Sequence, residues 1–119
     1  RCKNHYRARK RYCKKIKILA VKYCFDIDGT ICTNTNGDYE SATPIENRIN
    51  LINDLYEKEN EIILFTARGS TTNIDWKELT EQQLHTWGVK YHKLLFGKPE
   101  ADIFVDDKAI SDILFFKEL

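Results

Sequence analysis

From Val21 onward the apolar residues fall alternately into short dense runs and spaced stripes. Apolar and β-favouring residues dominate Val21 to Ile27, which predicts a buried first strand. The polar stretch Thr33 to Thr43 predicts a loop. Pro44 suits the first turn of a helix with Thr43 as its N-cap, and Ile45, Ile49, Ile52, Leu55 and Tyr56 recur every three or four residues along it. Ile62 to Phe65 predicts a second strand. A weaker stripe, Trp76, Leu79, Leu84 and Trp87, predicts a second helix from Asp75 that Gly88 ends. Tyr91 to Phe96 and Ile103 to Val105 predict two more strands, and Ala109 to Glu118 a closing helix. Strands separated by helices imply an α/β fold, a doubly wound, Rossmann-like parallel sheet with helices on both faces, whose ligands bind at the strands' carboxyl ends.

Composition adds bounds. With 119 residues, 42% of them apolar, the chain suffices for one domain with a real core. No uncharged apolar run approaches the roughly 18 residues that cross a bilayer, so a cytoplasmic protein without membrane insertion is expected. The four cysteines, Cys2, Cys13, Cys24 and Cys32, have neither CxxC spacing nor a histidine pattern, which argues against zinc; Cys24 is expected to be a small buried hydrophobe. The net charge of +1 conceals an asymmetry: ten Lys or Arg and no acid in residues 1 to 22, against nine basic and eighteen acidic residues in the remainder. Residues 1 to 20 are expected to be a basic, disordered or non-native extension, and residues 21 to 119 the working domain. A basic arm of this kind can also bind nucleic acid.

The chemistry concentrates at strand ends. Asp26-Ile27-Asp28-Gly29-Thr30 closes the first predicted strand, and residues i and i+2 of an extended chain project the same way. Asp26 can attack phosphorus to give an aspartyl-phosphate, while Asp28 can protonate the leaving oxygen and then activate water. Gly29 lets the backbone turn, so that the amides after it, Thr30 among them, can face an anion. Two carboxylates facing a phosphate imply an intervening cation. Thr66 ends the second strand and can donate to a phosphoryl oxygen; Lys98 follows the third and can neutralise phosphate charge; Asp106 and Asp107 close the fourth, and such hard oxygen donors favour magnesium.

In these four places the chain resembles the haloacid dehalogenase superfamily of phosphohydrolases, over residues 21 to 119. The resemblance implies a metal-dependent phosphomonoesterase with Asp26 as nucleophile and metal ligand, Asp28 as general acid/base offering its carbonyl to Mg2+, and Gly29, Thr30, Thr66, Ala67 and Lys98 around the phosphate. Asp107 is the favoured further metal ligand, with Asp106 beside it. Asp112 is open between holding a metal-bound water and being a surface acid. More narrowly, Cys24 to Cys32 and Phe65-Thr66-Ala67-Arg68-Gly69 are similar to small phosphatases of bacterial capsule and surface polysaccharide biosynthesis, which implies a phosphorylated sugar or related small molecule as substrate. Arg68 is then a candidate substrate contact, with a surface ion pair as the alternative.

Larger relatives carry a cap domain, for which the intervals here leave no room, so an open site is expected; the resemblance to capless members makes a homo-oligomer plausible, although no residue pattern here demonstrates one. A receiver-type signalling domain has similar parts, but its acid pair comes first in the chain. A polynucleotide end-phosphatase or nucleic-acid-binding module using the basic arm is the alternative function.

Overall fold

The computed structural model describes residues 20–119. In chain order it contains β1 (Lys22–Phe25), a 3₁₀ turn (Tyr39–Ser41), α1 (Glu46–Glu57), β2 (Glu61–Thr66), α2 (Lys77–Thr86), β3 (Lys93–Phe96) and α3 (Asp112–Phe115). The strands form a parallel sheet in the order β1-β2-β3, with Lys22 opposite Glu61 and Thr66 opposite Phe96. The protein is thus an α/β domain built on a three-stranded parallel sheet flanked by helices. The extension expected at residues 1 to 20 lies, apart from Ala20, outside the described residues.

Alternation along β2 decides where the core lies. Ile62, Leu64 and Thr66 are buried, whereas Glu61, Ile63 and Phe65 are only half-buried. In a strand these are opposite faces. The buried face joins Phe25 of β1, Ile49 and Ile52 of α1, Leu84 of α2 and Phe116 in one cluster. The α1 stripe expected from sequence is therefore core. Phe25 stacks on Phe116 at 6.1 Å between centroids and meets Phe115 edge-on at 5.6 Å, so α3 closes over β1.

Several expectations are corrected. Thr43 is not the cap of α1, which starts after Ile45 with no side-chain cap. Thr43 pairs instead with Thr33: its N–H donates to Thr33 Oγ1 at 3.0 Å and its carbonyl accepts from Thr33 N–H at 2.9 Å, closing the neck of the polar loop. Cys24 is exposed rather than buried, because Tyr23 and Phe25 on either side take the core face. The closing helix is only the four residues of α3. Ile103 to Val105 form no strand and stand 78%, 52% and 95% exposed. The cause is chain length. Only residues 97 to 102 separate them from β3, and a parallel crossover needs about a dozen.

Candidate active site

The parallel sheet brings the carboxyl ends of β1, β2 and β3 to one edge, and the loops beyond them enclose an open cleft of about 590 Å3. Asp26, Asp28, Ala67 and Lys98 line it together with Asn34, Tyr39, Trp76 and Phe104 from the surrounding loops. Of the residues singled out from sequence, the fold therefore gathers the two aspartates, the lysine, Ala67 and Arg68.

Asp26 immediately follows β1, and its Oδ1 lies 3.3 Å from Lys98 Nζ. Burial raises the Asp26 carboxyl above its ordinary range, opposed by the Lys98 ammonium and the Ile27 N–H. Lys98 is fixed from both sides of its backbone. Its N–H donates to Thr66 O at 3.1 Å, and its carbonyl accepts from Ser70 Oγ at 2.6 Å. The loops after β2 and β3 are thereby tied together, and a Thr71–Glu100 hydrogen bond adds a second tie. The ammonium also sits 4.7 Å from the Phe104 ring centroid.

Asp28 is held differently. Arg68 grips it with a two-pronged fork, Nε to Oδ2 at 2.8 Å and Nη2 to Oδ1 at 2.9 Å. The Arg68 side chain is fully shielded, while that of Asp28 is 18% exposed. The arrangement is charge-assisted and planar, which suits arginine and not lysine. Burial acts to lower the Arg68 pKa, but hydrogen bonding to Asp28 and its charge outweigh this and raise it. Cys32, whose Sγ lies 3.5 Å from Asp28 Oδ1, has its thiol pushed up to about 12 by burial and by the Asp28 charge.

Other expected roles are not met in this arrangement. The amides after Gly29 do not face the cleft unpaired. Gly29 N–H donates to Cys32 O at 2.8 Å and Thr30 N–H to Ile27 O at 3.1 Å, bonds that close a tight turn with Gly29 at φ +86°. Thr66 is 1% exposed, and its Oγ1 accepts from Arg68 N–H at 3.1 Å. Its hydroxyl braces the turn after β2. Arg68 lines the cleft, but its side chain is fully shielded and donates to Asp28, Thr80 and Gln83. Asp112 forms an ion pair with Arg48 at 2.8 Å.

The donor set expected for magnesium is also not gathered. Among the described residues, no group of three or more His, Cys, Asp or Glu side chains could hold a metal ion. Asp106 and Asp107 are exposed, and Asp106 accepts from Lys108 N–H at 2.9 Å, a bond that lowers its pKa. The physical reason is the missing fourth strand, which would have carried both to the edge of the sheet. The charges of Asp26 and Asp28 are compensated one to one by Lys98 and Arg68. Sequence reasoning missed Thr80 and Gln83, which hold the far side of Arg68. A signal was present: they lie one helical turn apart beside Leu84, a polar pair where an amphipathic helix meets its core.

No protein-family model matches the chain, and no curated protein matches it. Among solved structures, an MCSG target from Vibrio cholerae is similar at 26% identity and a TM-score of 0.73, over 82% of this chain and 92% of that one. A chain of the Pnkp1/Rnl/Hen1 complex is similar at 20% identity and a TM-score of 0.53, over 85% of this chain. This chain spans only 36% of that longer one. Both likenesses agree with the α/β architecture described above, and the domain shares its fold with these proteins.

Proposed function

We propose that the domain is a phosphomonoester hydrolase of the haloacid dehalogenase type, acting on a small phosphorylated compound through an aspartyl-phosphate on Asp26. One observation carries this reading: Asp26 and Asp28 stand two residues apart at the end of β1, both on the cleft, each paired with its own cation. In the first step an Asp26 oxygen bonds to phosphorus, the ester P–O bond breaks, and the leaving oxygen takes a proton from Asp28. Water then attacks phosphorus and gives a proton to Asp28, while the Asp26–phosphorus link opens to release inorganic phosphate. Lys98 orients Asp26 and offsets charge on the phosphoryl oxygens.

Magnesium belongs to the proposal on donor chemistry alone, through Asp26, the Asp28 carbonyl and Asp106 or Asp107. The side chains do not fit the ion as arranged, and no step above is routed through it. The cleft's aromatic and amide walls, with Tyr39 and Trp76 edge to face at 5.0 Å beside Asn34, suit a polyhydroxylated body such as a sugar. We propose a phosphorylated sugar of surface-polysaccharide synthesis as the substrate class, with homo-oligomerisation as one way to cover the open cleft.

The test is phosphate release from sugar phosphates, nucleotides and 3′-phosphorylated oligonucleotides, with magnesium or a chelator, alongside Asp26→Asn. Release from a sugar phosphate is expected, reduced at least about 10³-fold in Asp26→Asn with the fold intact. Near-normal activity in that variant would overturn the nucleophile assignment. Release from oligonucleotides alone would favour a polynucleotide end-phosphatase, the reading that the basic residues of the first 22 support.

A further inference from the structure

Arg68 carries more interactions than any ordinary surface cation. A guanidinium has five N–H donors. Two of those of Arg68 reach the Asp28 carboxylate, two reach Thr80 Oγ1 at 3.0 Å and Gln83 Oε1 at 2.7 Å, and the fifth points to Cys32 Sγ at 3.9 Å. The face of the group lies 4.6 Å from the Tyr39 ring centroid. Gln83 Nε2 in turn donates to Tyr39 O at 2.7 Å. The loop before α1, helix α2 and the end of β1 therefore meet on one buried cation.

This arrangement separates two roles. An arginine that clamps a phosphate must present donors to the cleft, and every donor here already has an acceptor. A side chain that fixes another must be locked itself, and Arg68 is locked by α2 and by Tyr39. From this geometry we infer that Arg68 is a positioning residue that acts on the reaction through Asp28. Its fork sets the plane of the Asp28 carboxylate at the cleft; Oδ1 also accepts from the Cys32 thiol, so the outer lone pair of Oδ2 is the one left for proton transfer. The inference rests on the hydrolase reading and assigns the specific service that Arg68 gives it.

A double-mutant cycle in the full chain tests this. Native protein, Arg68→Lys, Asp28→Asn and the double variant are compared for steady-state phosphate release from glycerol phosphate, an alkyl ester whose leaving oxygen must take up a proton. Lysine keeps the charge but loses the fork. Arg68→Lys is expected to lower kcat by about 10- to 100-fold with KM within about twofold, the signature of misplaced proton transfer. The double variant is expected to be no slower than Asp28→Asn within about threefold, because Arg68 has nothing left to position. A tenfold rise in KM at unchanged kcat would make Arg68 a substrate contact and overturn the inference. So would a double variant slowed by the product of the two single factors, which is what loss of folded enzyme alone gives.

Should Arg68→Lys fail to fold by circular dichroism, Gln83→Leu loosens the guanidinium from α2. The same kcat loss and the same non-additivity with Asp28→Asn are then expected, and unchanged kcat in a folded Gln83→Leu would overturn the inference. Failure of the hydrolase reading looks different, as inactive native protein or a fully active Asp26→Asn.

Discussion

Two apolar runs in this chain, each followed by candidate site residues, meet opposite fates. Ile62 and Leu64 of β2 are completely buried between neighbouring strands, and Thr66 ends that run. Ile103, Phe104 and Val105 have equal or better β-propensity and precede Asp106 and Asp107, yet lie in the open. The difference is positional. β2 has a strand on either side and α1 against its buried face, whereas residues 103 to 105 are tethered six residues from β3 with no crossover to carry them to the free edge of β1. Propensity chooses what a segment can be; neighbours and connection length choose what it becomes.

Truncation on the two sides breaks or sharpens this contrast most strongly. Leu64→Ala should cost about 2 to 5 kcal/mol through lost burial and a cavity under α1. Val105→Ala, at 95% exposure, should change stability by less than about 0.5 kcal/mol. Urea unfolding of both variants measures the pair. A large loss from Val105→Ala would mean that residues 103 to 105 are packed in solution, and would reopen the question of Asp106 and Asp107 as metal ligands.

The same contrast explains what the sequence made legible. Three of the four expected strands, both main helices and the gathering of Asp26, Asp28, Ala67 and Lys98 follow from local signals: periodicity, glycine breaks, and carboxylates at the end of an apolar run. The remainder depended on non-local facts. Whether the amides at Gly29 and Thr30 would be free was set by Ile27 O and Cys32 O, acceptors within their own turn. Whether Arg68 would face substrate or protein was set by Thr80 and Gln83, more than ten residues away. The strand expected at residues 103 to 105 was refutable from sequence, since the interval of six residues was countable; its apolar character concealed the constraint.

A second prediction compares the loops that follow β2 and β3. Gly69 and Gly97 both have positive φ, +82° and +96°. A Cβ on Gly69 would also fall 2.3 Å from Ile74 O, whereas one on Gly97 would meet nothing within 4 Å. Gly97→Ala should cost about 1 kcal/mol from backbone conformation alone. Gly69→Ala adds a backbone clash that the loop can relieve only by moving, for about 2 to 3 kcal/mol in all. Because Ser70 of that loop holds the Lys98 carbonyl, Gly69→Ala should also reduce turnover more than Gly97→Ala does. Equal effects would mean that the loop after β2 is no more tightly set than the one after β3.

The smallest effect lies just before β2, where α1 ends. Glu59 N–H donates to Tyr56 O at 3.0 Å and Asn60 N–H to Leu55 O at 3.2 Å, the paired bonds of a Schellman motif whose C′ residue adopts the left-handed region. Glu59 holds that position at φ +70°, where its Cβ is strained and a glycine is not. Its side chain is exposed and makes no ion pair among the described residues, so its removal costs little there. Glycine loses more chain entropy on folding, which offsets part of the gain. Glu59→Gly should therefore stabilise the domain by about 0.5 to 1 kcal/mol, read as a higher urea midpoint at unchanged slope. The Asn60 side chain joins the turn to β1, donating to Leu55 O at 3.0 Å and accepting from Val21 N–H at 2.9 Å. The gain should thus be kept in the folded domain and shrink in an Asn60→Ala background, where the turn has lost its anchor to the first strand.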